Sequence, residues 1–478
     1  MRILKGLESN KQFWFVIFAS FFFFLLRLPS LFEPLWYGDE GIYQVIGTGL
    51  NHGKILYSEI FDNKPPFLYW LYSFFQSDQF TIRLTSLIFG VFSIAIFFLL
   101  SKKLFKSEKN NTIPLITTFI FTILFGLPTL EGNIANAENF MLLPILASAF
   151  LIINQKRLFL AGLLLGIAFL FKIVAIFDLS SFIVFCFILN SSSLKKEIKL
   201  SKIILGFSLP ILIVILFFLL NGSFMDFIKA AFITNISYVS WGNKIGNLPF
   251  LLIVKLIFLG VFTLHIFTKR KKISVTMLFI SIWFAFSLFN AFFSQRPYTH
   301  YLLVLIPSLS LMIGLFFFDK KHQKTIAIFL VVALFVITKV FGIPGFHKSI
   351  SYYQNFLSYI KGEKTMVSYQ AFFDRNTPDD YEIARFIKPK LTRDDTIFVW
   401  GNNAQLYQLV GVVAPTKYIV AYHISSYKDG VKLTKNAIEK IEPKFVVAMR
   451  DVGPIPFPLI NYFVKIHLNK AIIYERIF

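Results

Sequence analysis

The sequence predicts an α-helical polytopic membrane protein of about eleven transmembrane helices, followed by a small extracytoplasmic α/β domain. Three observations predict this fold class. Hydrophobic residues make up 56% of the 478 residues and charged residues only 15%, well below the roughly 25% that is usual in a soluble chain. Apolar runs long enough to cross a bilayer recur along the chain, and the loops between them alternate between rich and poor in Lys and Arg.

The first apolar run lies close to the N-terminus. The basic segment MRILKGLESNKQ precedes FWFVIFASFFFFLL, as in a signal peptide. The apolar stretch continues into LRLPSLFEPLW without the small-residue pattern of a cleavage site. The segment is therefore predicted to be a retained signal-anchor and the first transmembrane helix.

The remaining apolar runs follow at short intervals. A helix needs about 20 mainly apolar residues to cross the hydrocarbon layer. The boundary between the fifth and sixth runs, at KIVAIFD (172–178), leaves room only for a tight turn. The predicted helices lie near residues 12–31, 79–101, 113–129, 138–154, 157–173, 174–190, 203–220, 248–268, 273–293, 301–318 and 324–342.

The distribution of basic residues predicts the orientation of these helices. Loops rich in Lys and Arg face the cytoplasm. One alternating set of loops, with the N-terminal tail, contains Arg2, Lys5, Lys11, Lys102, Lys103, Lys106, Lys109, Lys156, Arg157, Lys195, Lys196, Lys199, Lys202, Lys269, Arg270, Lys271, Lys272, Lys320, Lys321 and Lys324. The other set contains Asp39, Glu40, Glu59, Asp62, Glu131, Glu138 and Asp226. The N-terminus is therefore predicted to be cytoplasmic, and the net charge of +22 needs no nucleic-acid partner.

The composition changes sharply near residue 343. The segment QAFFDRNTPDDYEIARFIKPKLTRDDTIFVWGNN is polar and mixed, DTIFVWG and PKFVVAM predict short buried strands, and DDYEIARFIK predicts an amphipathic helix. We therefore divide the chain into a transmembrane domain at 1–342, with a long first outer loop at 32–78, and an extracytoplasmic α/β domain at 343–478.

The first outer loop contains more charge than an interfacial turn requires. Asp39 and Glu40 stand side by side at the start of the segment EGIYQVIGTGL (40–50), which has an apolar face at helical spacing. Adjacent like charges repel unless a cation is near, and Lys64 in FDNKPPFLYW is the obvious cation. The alternative is a solvated turn with an aromatic belt of Trp36, Tyr69 and Trp70.

More ionisable residues are predicted at the outer ends of the helices. Charges in the hydrocarbon are costly unless they pair or face a wet cavity, so their clustering predicts an outward-facing cavity. Arg83 or Arg296 alone is typical of a headgroup anchor. Together with Lys64 and Lys172 they favour a receptor for a lipid phosphate, because cations supply charge-assisted hydrogen bonds. A phosphate so held is a better leaving group, and a nearby carboxylate can take the proton from an attacking hydroxyl.

These residues resemble a known family. The segment YGDEGIYQVIGTGLNHGKILYSEIFDNKPPFLYW is similar to the first outer loop of the GT-C membrane glycosyltransferases, which include the protein O-mannosyltransferases and the bacterial lipid A aminoarabinose transferases. The family pattern is Asp-Glu, then Tyr, then Gly-x-x-x-Tyr, then Lys-Pro-Pro before an aromatic. It is met by Asp39, Glu40, Tyr43, Gly53, Tyr57, Lys64, Pro65 and Pro66. Weaker similarities are RLTSLIFG at Arg83, AENFMLL at Glu138, FLFK at Lys172, HYLLVLIP from His300 and VWGNNAQLYQLVG at 399–411.

The resemblance implies an inverting transferase that moves a sugar from a polyprenyl-phosphate-linked donor to a hydroxyl acceptor on the non-cytoplasmic face. Asp39 would be the catalytic carboxylate. Glu40 and Glu138 are further catalytic candidates, with Glu131 as a rival to Glu138. The sugar is left open, and so is the acceptor, which is a glycolipid, a polysaccharide or a protein. The candidate substrate-binding residues are Tyr43, Tyr57, Lys64, Arg83, Lys172, Arg296, His300 and Tyr301.

Two other functions are compatible with parts of the pattern. In a membrane transporter or lipid flippase the same charges would line a substrate path. Such proteins place ionisable residues near the bilayer midplane, whereas the central stretches here are apolar. A membrane-anchored binding module acting through 343–478 would leave the first outer loop unexplained.

The residues require no cofactor, although a divalent metal stays open. The carboxylates of the first outer loop could hold one, but His52 and the scattered acids lack a diagnostic spacing. The single cysteine, Cys186, excludes a disulfide within the chain and a multi-cysteine metal site.

Overall fold

The computed structural model describes residues 11–106, 112–191, 199–245, 248–342, 346–468 and 470–477. Five residues of the predicted cytoplasmic set, Arg2, Lys5, Lys109, Lys195 and Lys196, lie outside these ranges. The chain forms two compact units. The first comprises Met1–Leu28, Leu84–Phe217 and Thr234–Ile350, and the second comprises Pro29–Arg83, Phe218–Ile233 and Ser351–Phe478. The predicted division at residue 342 stays a prediction.

Long apolar helices dominate the chain. Within the described ranges, eight are long and apolar enough to cross a membrane: Lys11–Phe32, Gln79–Leu104, Ile173–Asn190, Leu200–Leu220, Phe250–Lys269, Val275–Phe292, Thr299–Phe318 and Gln323–Phe341. Three shorter apolar helices are Thr112–Gly126, Ala137–Ile153 and Leu158–Phe171. A helix lies at each of the eleven predicted positions, but the three short ones fall below the usual spanning length. The polytopic helical class is thus confirmed, and the count of eleven is not.

The tight turn between the fifth and sixth apolar helices is present. Helix Leu158–Phe171 ends at Lys172, whose backbone is extended with φ −157° and ψ 127°. The 3-10 turn Ile173–Ala175 follows and leads directly into helix Ile176–Asn190. The extended residue lets the chain reverse and leaves the Lys172 side chain at the end of the helix.

Glycines permit close packing of helices Leu158–Phe171 and Leu200–Leu220. A Cβ atom at Gly162 would lie 2.0 Å from the carbonyl oxygen of Ile203, and one at Gly206 would lie 2.0 Å from that of Phe159. Lipid tails are as apolar as the helices, so the hydrophobic effect does not drive two helices together within a membrane. Close approach of their backbones at small residues provides van der Waals packing instead.

The second unit combines short helices with a small mixed sheet. Its first segment forms helices Gly38–Asn51 and Pro66–Phe74, and its middle segment forms the short helix Phe224–Ile228. Its last segment forms five helices: Met366–Phe373, Thr377–Ile387, Gln405–Val410, Ala421–Ser426 and Gly430–Ile441. Helix Phe346–Ile360 contains the division between the two units.

The sheet has four strands in the order β1-β2-β4-β3. They are β1 (Ile397–Trp400), β2 (Phe445–Met449), β3 (Tyr462–Leu468) and β4 (Ala471–Arg476). Strands β1 and β2 are parallel and fully buried, whereas β4 is antiparallel to both β2 and β3. The predicted strands DTIFVWG and PKFVVAM are β1 and β2, so the small C-terminal α/β fold is confirmed.

Candidate active site

Asp39 and Glu40 occupy the first turn of helix Gly38–Asn51. The positive end of a helix dipole stabilises carboxylates at this position. Successive helical residues point about 100° apart, and the two side chains accordingly have different surroundings. The Asp39 side chain is 38% exposed, whereas Glu40 is buried. The two carboxylates are therefore not equivalent, and only Asp39 is open to solvent.

Lys64 forms the predicted partner of Asp39. Its Nζ lies 3.6 Å from Asp39 Oδ2 and 3.6 Å from Asp62 Oδ2, and 4.7 Å from the centre of the Tyr43 ring. The Tyr43 hydroxyl donates to Asp39 Oδ2 at 3.0 Å. Pro65 then caps the helix Pro66–Phe74, where the fixed φ of proline suits the first turn. The Lys-Pro-Pro sequence thus keeps the backbone extended up to the start of the helix, and it places the Lys64 ammonium next to Asp39.

Two tyrosines fix the backbone of Lys64. The Tyr57 hydroxyl donates to the Lys64 carbonyl at 2.7 Å, and the Lys64 amide donates to the Tyr69 hydroxyl oxygen at 3.1 Å. Tyr69 in turn donates to Asp62 Oδ2 at 2.7 Å. Burial, followed by the charge of Asp62, raises the pKa of Tyr57 and Tyr69 well above the usual value. Both hydroxyls therefore stay protonated and keep their role as donors.

His423, from the last segment of the second unit, also approaches this cluster. Its Nε2 lies 3.7 Å from Asp62 Oδ1, and the side chain is buried. Burial lowers the pKa of His423 to about 4, against the opposing charge of Asp62, so the imidazole is neutral near pH 7. Sequence reasoning missed both His423 and the bridging role of Asp62, because no motif marks either of them. We call Asp39, Tyr43, Tyr57, Asp62, Lys64, Tyr69 and His423 the Asp39 cluster.

Arg83 is held by carboxylates. Its Nε donates to Glu40 Oε1 at 3.1 Å and its Nη2 to Glu40 Oε2. Its Nη1 lies 3.0 Å from Glu33 Oε2 and donates to the Ser30 carbonyl at 2.6 Å. Glu33 also accepts hydrogen bonds from Trp36 and Tyr352. Glu40 and Arg83, predicted as catalytic and substrate-binding residues, thus form a buried bidentate pair; Glu33, the third member, was not identified from the sequence.

The first unit brings together the other predicted residues. Glu138 and Lys172 form a salt bridge, and Lys172 Nζ lies 4.5 Å from the centre of the Tyr301 ring. The hydroxyls of Tyr301 and Tyr238 are 3.4 Å apart. The Arg296 guanidinium carbon lies 5.1 Å from the Tyr238 ring centre.

Glu131 lies in a neighbouring hydrogen-bonded group of the same unit. It accepts from Thr299 at 2.6 Å and lies 2.8 Å from His300 Nδ1. Its side chain is 29% exposed, whereas that of Glu138 is 2% exposed. We call Glu131, Glu138, Lys172, Tyr238, Arg296, Thr299, His300 and Tyr301 the Lys172 cluster. Tyr238 and Thr299 had no sequence signal.

The two clusters differ in what they can do chemically. In the Asp39 cluster a solvent-accessible carboxylate can accept a proton while an adjacent ammonium balances negative charge. In the Lys172 cluster two cations lie against aromatic rings, an arrangement that can receive an anion. Across the described parts of the chain, no three His, Cys, Asp or Glu side chains are placed to hold a metal ion.

Comparison of the sequence with known proteins gives matches of two kinds. The family model for dolichyl-phosphate-mannose-protein mannosyltransferase matches residues 63–220. The undecaprenyl phosphate-alpha-4-amino-4-deoxy-L-arabinose arabinosyl transferase of Wigglesworthia glossinidia brevipalpis is 26% identical over 183 residues. That match covers 35% of this chain and only 33% of the relative's length.

Solved structures match along nearly the whole chain. The crystal structure of ArnT from Cupriavidus metallidurans bound to undecaprenyl phosphate has a TM-score of 0.59 at 14% identity, and its apo form has 0.58 at 12%. Each alignment covers 97% of this chain and 98% of the ArnT chain. At such low sequence identity, the structural similarity to ArnT shows only that the fold is shared. Together with the sequence matches, it confirms that this chain is similar to the GT-C membrane glycosyltransferases of the mannosyltransferase and ArnT type.

Proposed function

We propose that the protein is an integral-membrane inverting glycosyltransferase, which moves a sugar from a polyprenyl-phosphate-linked donor to a hydroxyl acceptor. The observation that carries this proposal is the placement of Lys64 Nζ 3.6 Å from the accessible carboxylate of Asp39. The similar proteins are named for, or were crystallised with, dolichyl or undecaprenyl phosphate, which supports a lipid-linked donor. The sugar and the acceptor stay open.

In the proposed reaction, Asp39 takes the proton of the acceptor hydroxyl. The acceptor oxygen forms its bond to the anomeric carbon as the bond from that carbon to the phosphate oxygen breaks, and the electron pair leaves with the phosphate. A single displacement from the opposite face inverts the anomeric centre. The Lys64 ammonium stabilises the negative charge that develops on the departing phosphate, which a carboxylate alone would repel.

The remaining residues of the Asp39 cluster position these two groups. Asp62 is a second carboxylate beside the Lys64 ammonium, and Tyr69 and His423 contact Asp62. Tyr57 fixes the Lys64 carbonyl. Since a displaced catalytic group loses rate steeply, we propose that these contacts set the distance between Asp39 and Lys64.

Glu40 and Arg83 have a positioning role in this proposal. Their buried pair fixes the first turn of the helix that presents Asp39, and Arg83 is already engaged by Glu33 and Ser30. Lys172, Arg296, His300 and Tyr301 of the first unit stay proposed substrate-binding residues, because Lys172 and Arg296 are cations suited to bind phosphate. Glu138 and Glu131 remain the two candidates for a second functional carboxylate.

We further propose a cytoplasmic N-terminus, with the Asp39 cluster and residues 343–478 on the non-cytoplasmic face. The segregation of Lys and Arg into alternate loops supports this orientation. A lipid-linked donor has its phosphate at the membrane surface and its chain in the bilayer, so a catalyst embedded in the membrane can reach both.

A turnover assay tests the function. The full chain is reconstituted in vesicles with a radiolabelled polyprenyl-phosphate sugar and a total lipid and protein extract. Wild type and Asp78→Asn, an exposed carboxylate of the same loop, should transfer label to a new product, whereas Asp39→Asn should not. Transfer by Asp39→Asn at the wild-type rate would overturn the role of Asp39. Failure of folded wild type with every lipid-linked donor would overturn the function.

A further inference from the structure

A groove of about 590 Å³ lies among three helices of the first unit. Helix Ile176–Asn190 contributes Val184 and Phe187, helix Phe250–Lys269 contributes Gly260 and Phe267, and helix Val275–Phe292 contributes Phe286. Apart from Thr263 the lining is apolar. All three helices are long and apolar enough to span a membrane, so we expect the groove to face hydrocarbon chains.

Gly260 keeps this groove open. A Cβ atom at Gly260 would find no atom within 4 Å, so the glycine is not there to let helices pack closely. Gly162 and Gly206 differ in this respect, since each has a backbone atom within 2.0 Å of its Cβ position. The space beside Gly260 is therefore available to something other than the protein.

A basic turn follows the groove. Lys269, Arg270, Lys271 and Lys272 come directly after Phe267 and Thr268 at the end of helix Phe250–Lys269. The three lysines are exposed. The Arg270 guanidinium carbon lies 4.0 Å from the centre of the Phe267 ring, and its Nη1 donates to the Phe267 carbonyl at 2.8 Å. A cation is thus fixed against a side chain that lines the groove.

The Arg270 side chain has an unsatisfied hydrogen-bond donor among the residues that the structure describes. Its Nε is buried and donates to no acceptor among the residues that the structure describes. A buried N–H without an acceptor is costly, and it would be satisfied by an anionic oxygen at the end of the groove. The complement of an apolar groove that ends in such a cation is an amphiphile with a negative headgroup.

We infer that this groove binds an anionic phospholipid of the bilayer, with an acyl chain beside Gly260 and the headgroup phosphate at Arg270 and its neighbouring lysines. Basic pockets between transmembrane helices recognise anionic lipids in this manner. A zwitterionic lipid fills the groove equally well but lacks the net charge that four adjacent cations attract.

The groove is separate from the Lys172 cluster of the same unit. Lys172 precedes helix Ile176–Asn190, whereas Val184, Phe187 and Ile188 line the groove from the other end of that helix. Val184 is twelve residues beyond Lys172, or about 18 Å along a helix. The inference therefore does not depend on the transfer reaction.

Native mass spectrometry of the full chain in detergent tests the inference, with phosphatidylglycerol and phosphatidylcholine as probes. Wild type should bind phosphatidylglycerol about tenfold more tightly than phosphatidylcholine. Gly260→Leu fills the groove, and Arg270→Gln/Lys271→Gln/Lys272→Gln removes three of the four positive charges. Each should reduce phosphatidylglycerol binding about tenfold.

Matched controls separate the groove from general effects. Val261→Leu changes a 62% exposed position of the same helix outside the groove. Lys320→Gln/Lys321→Gln/Lys324→Gln removes three cations from another predicted cytoplasmic turn. Both should bind phosphatidylglycerol like wild type. Equal binding of the two lipids by wild type, or wild-type binding by Gly260→Leu, would overturn the inference.

Discussion

The guanidinium of Arg83 donates to both carboxylate oxygens of Glu40. The two residues are 43 positions apart in the sequence, and Glu40 immediately follows Asp39. The pair therefore determines where the first turn of helix Gly38–Asn51 lies. Since Glu33 binds the same guanidinium, the carboxylates of Glu33 and Glu40 share one cation, and that cation is buried.

Replacement of Arg83 should destabilise the protein. Arg83→Met leaves the carboxylates of Glu33 and Glu40 buried without their cation, and breaking a buried pair costs about 3–5 kcal/mol. We expect a clear fall in the thermal unfolding temperature of the full chain in detergent, together with lost transfer activity. Arg375→Met, at an exposed arginine of the same unit, should unfold like wild type.

A double variant identifies the partner. Glu40→Gln/Arg83→Met should be less destabilised than the sum of the two single variants, because the second change removes a charge that the first left unpaired. Additive losses would show that Glu40 and Arg83 are not coupled.

Gly41 should tolerate no side chain. A Cβ atom there would lie 2.8 Å from the backbone nitrogen of Gln405, so Gly41→Ala forces helix Gly38–Asn51 away from helix Gln405–Val410. Overpacking of this kind costs about 1–3 kcal/mol, and we expect slower transfer because Asp39 moves with the helix. Gly38→Ala is the matched control, since nothing lies within 4 Å of its Cβ position. Equal activity of the two variants would contradict the positioning argument.

Replacement of Glu131 and replacement of Glu138 should differ in their effects on the unfolding temperature. Glu138→Gln leaves the ammonium of Lys172 without its buried partner, so it should lower the unfolding temperature. Glu131 is more exposed and accepts from Thr299 and His300, so Glu131→Gln should change the unfolding temperature little. If Glu131 is the second functional carboxylate, its variant loses transfer while remaining folded. Normal transfer by Glu131→Gln would leave that role to Glu138.

The stability of the protein should depend on the ionisation of Asp380. Burial raises the pKa of Asp380 to about 7, against the opposing hydrogen bonds from Asn403 and Gln405. The unfolded value is 3.8, so the fold favours the protonated form. The stabilisation of the fold by protonated Asp380 is complete below about pH 4 and is lost as the pH rises through about 7.

Asp380→Asn removes that dependence. As the pH rises from about 6 to about 8, ionisation of Asp380 should lower the free energy of unfolding of wild type by about 1 kcal/mol. The unfolding temperature of Asp380→Asn should therefore fall less than that of wild type over the same range. Asp379→Asn, at the neighbouring carboxylate, should keep the wild-type slope. An identical slope in wild type and Asp380→Asn would contradict the buried ionisation.

Local chemistry made part of this molecule predictable. The apolar runs predicted the positions of the long helices because burial in lipid requires continuous apolar sequence. The pairing of Asp39 with Lys64 was predictable because adjacent carboxylates need a cation and Lys-Pro-Pro fixes the approach of one. Strands β1 and β2 were predictable because they are buried on all sides and read as short apolar runs.

Other features depend on contacts that one sequence does not record. His423 meets Asp62 across 361 positions, and Tyr352 meets Glu33 across 319; neither has a motif. The adjacency of Asp39 and Glu40 suggested one functional pair, whereas helical geometry gives each its own cation. Strand β3 was not predicted; it lies at the edge of the sheet, and its residues are exposed or half-buried, unlike those of β1 and β2.

The second unit is made from three separate stretches of chain, 29–83, 218–233 and 351–478. During synthesis, the ribosome produces Asp39 and Lys64 early and His423 only near the end. Domains usually fold as they emerge, but this unit lacks its last stretch until most of the helices have been made. A nascent or truncated chain should therefore contain the proposed catalytic residues Asp39 and Lys64 without the contacts from the last stretch. If these residues act as proposed, the site is completed late, after membrane insertion rather than during it.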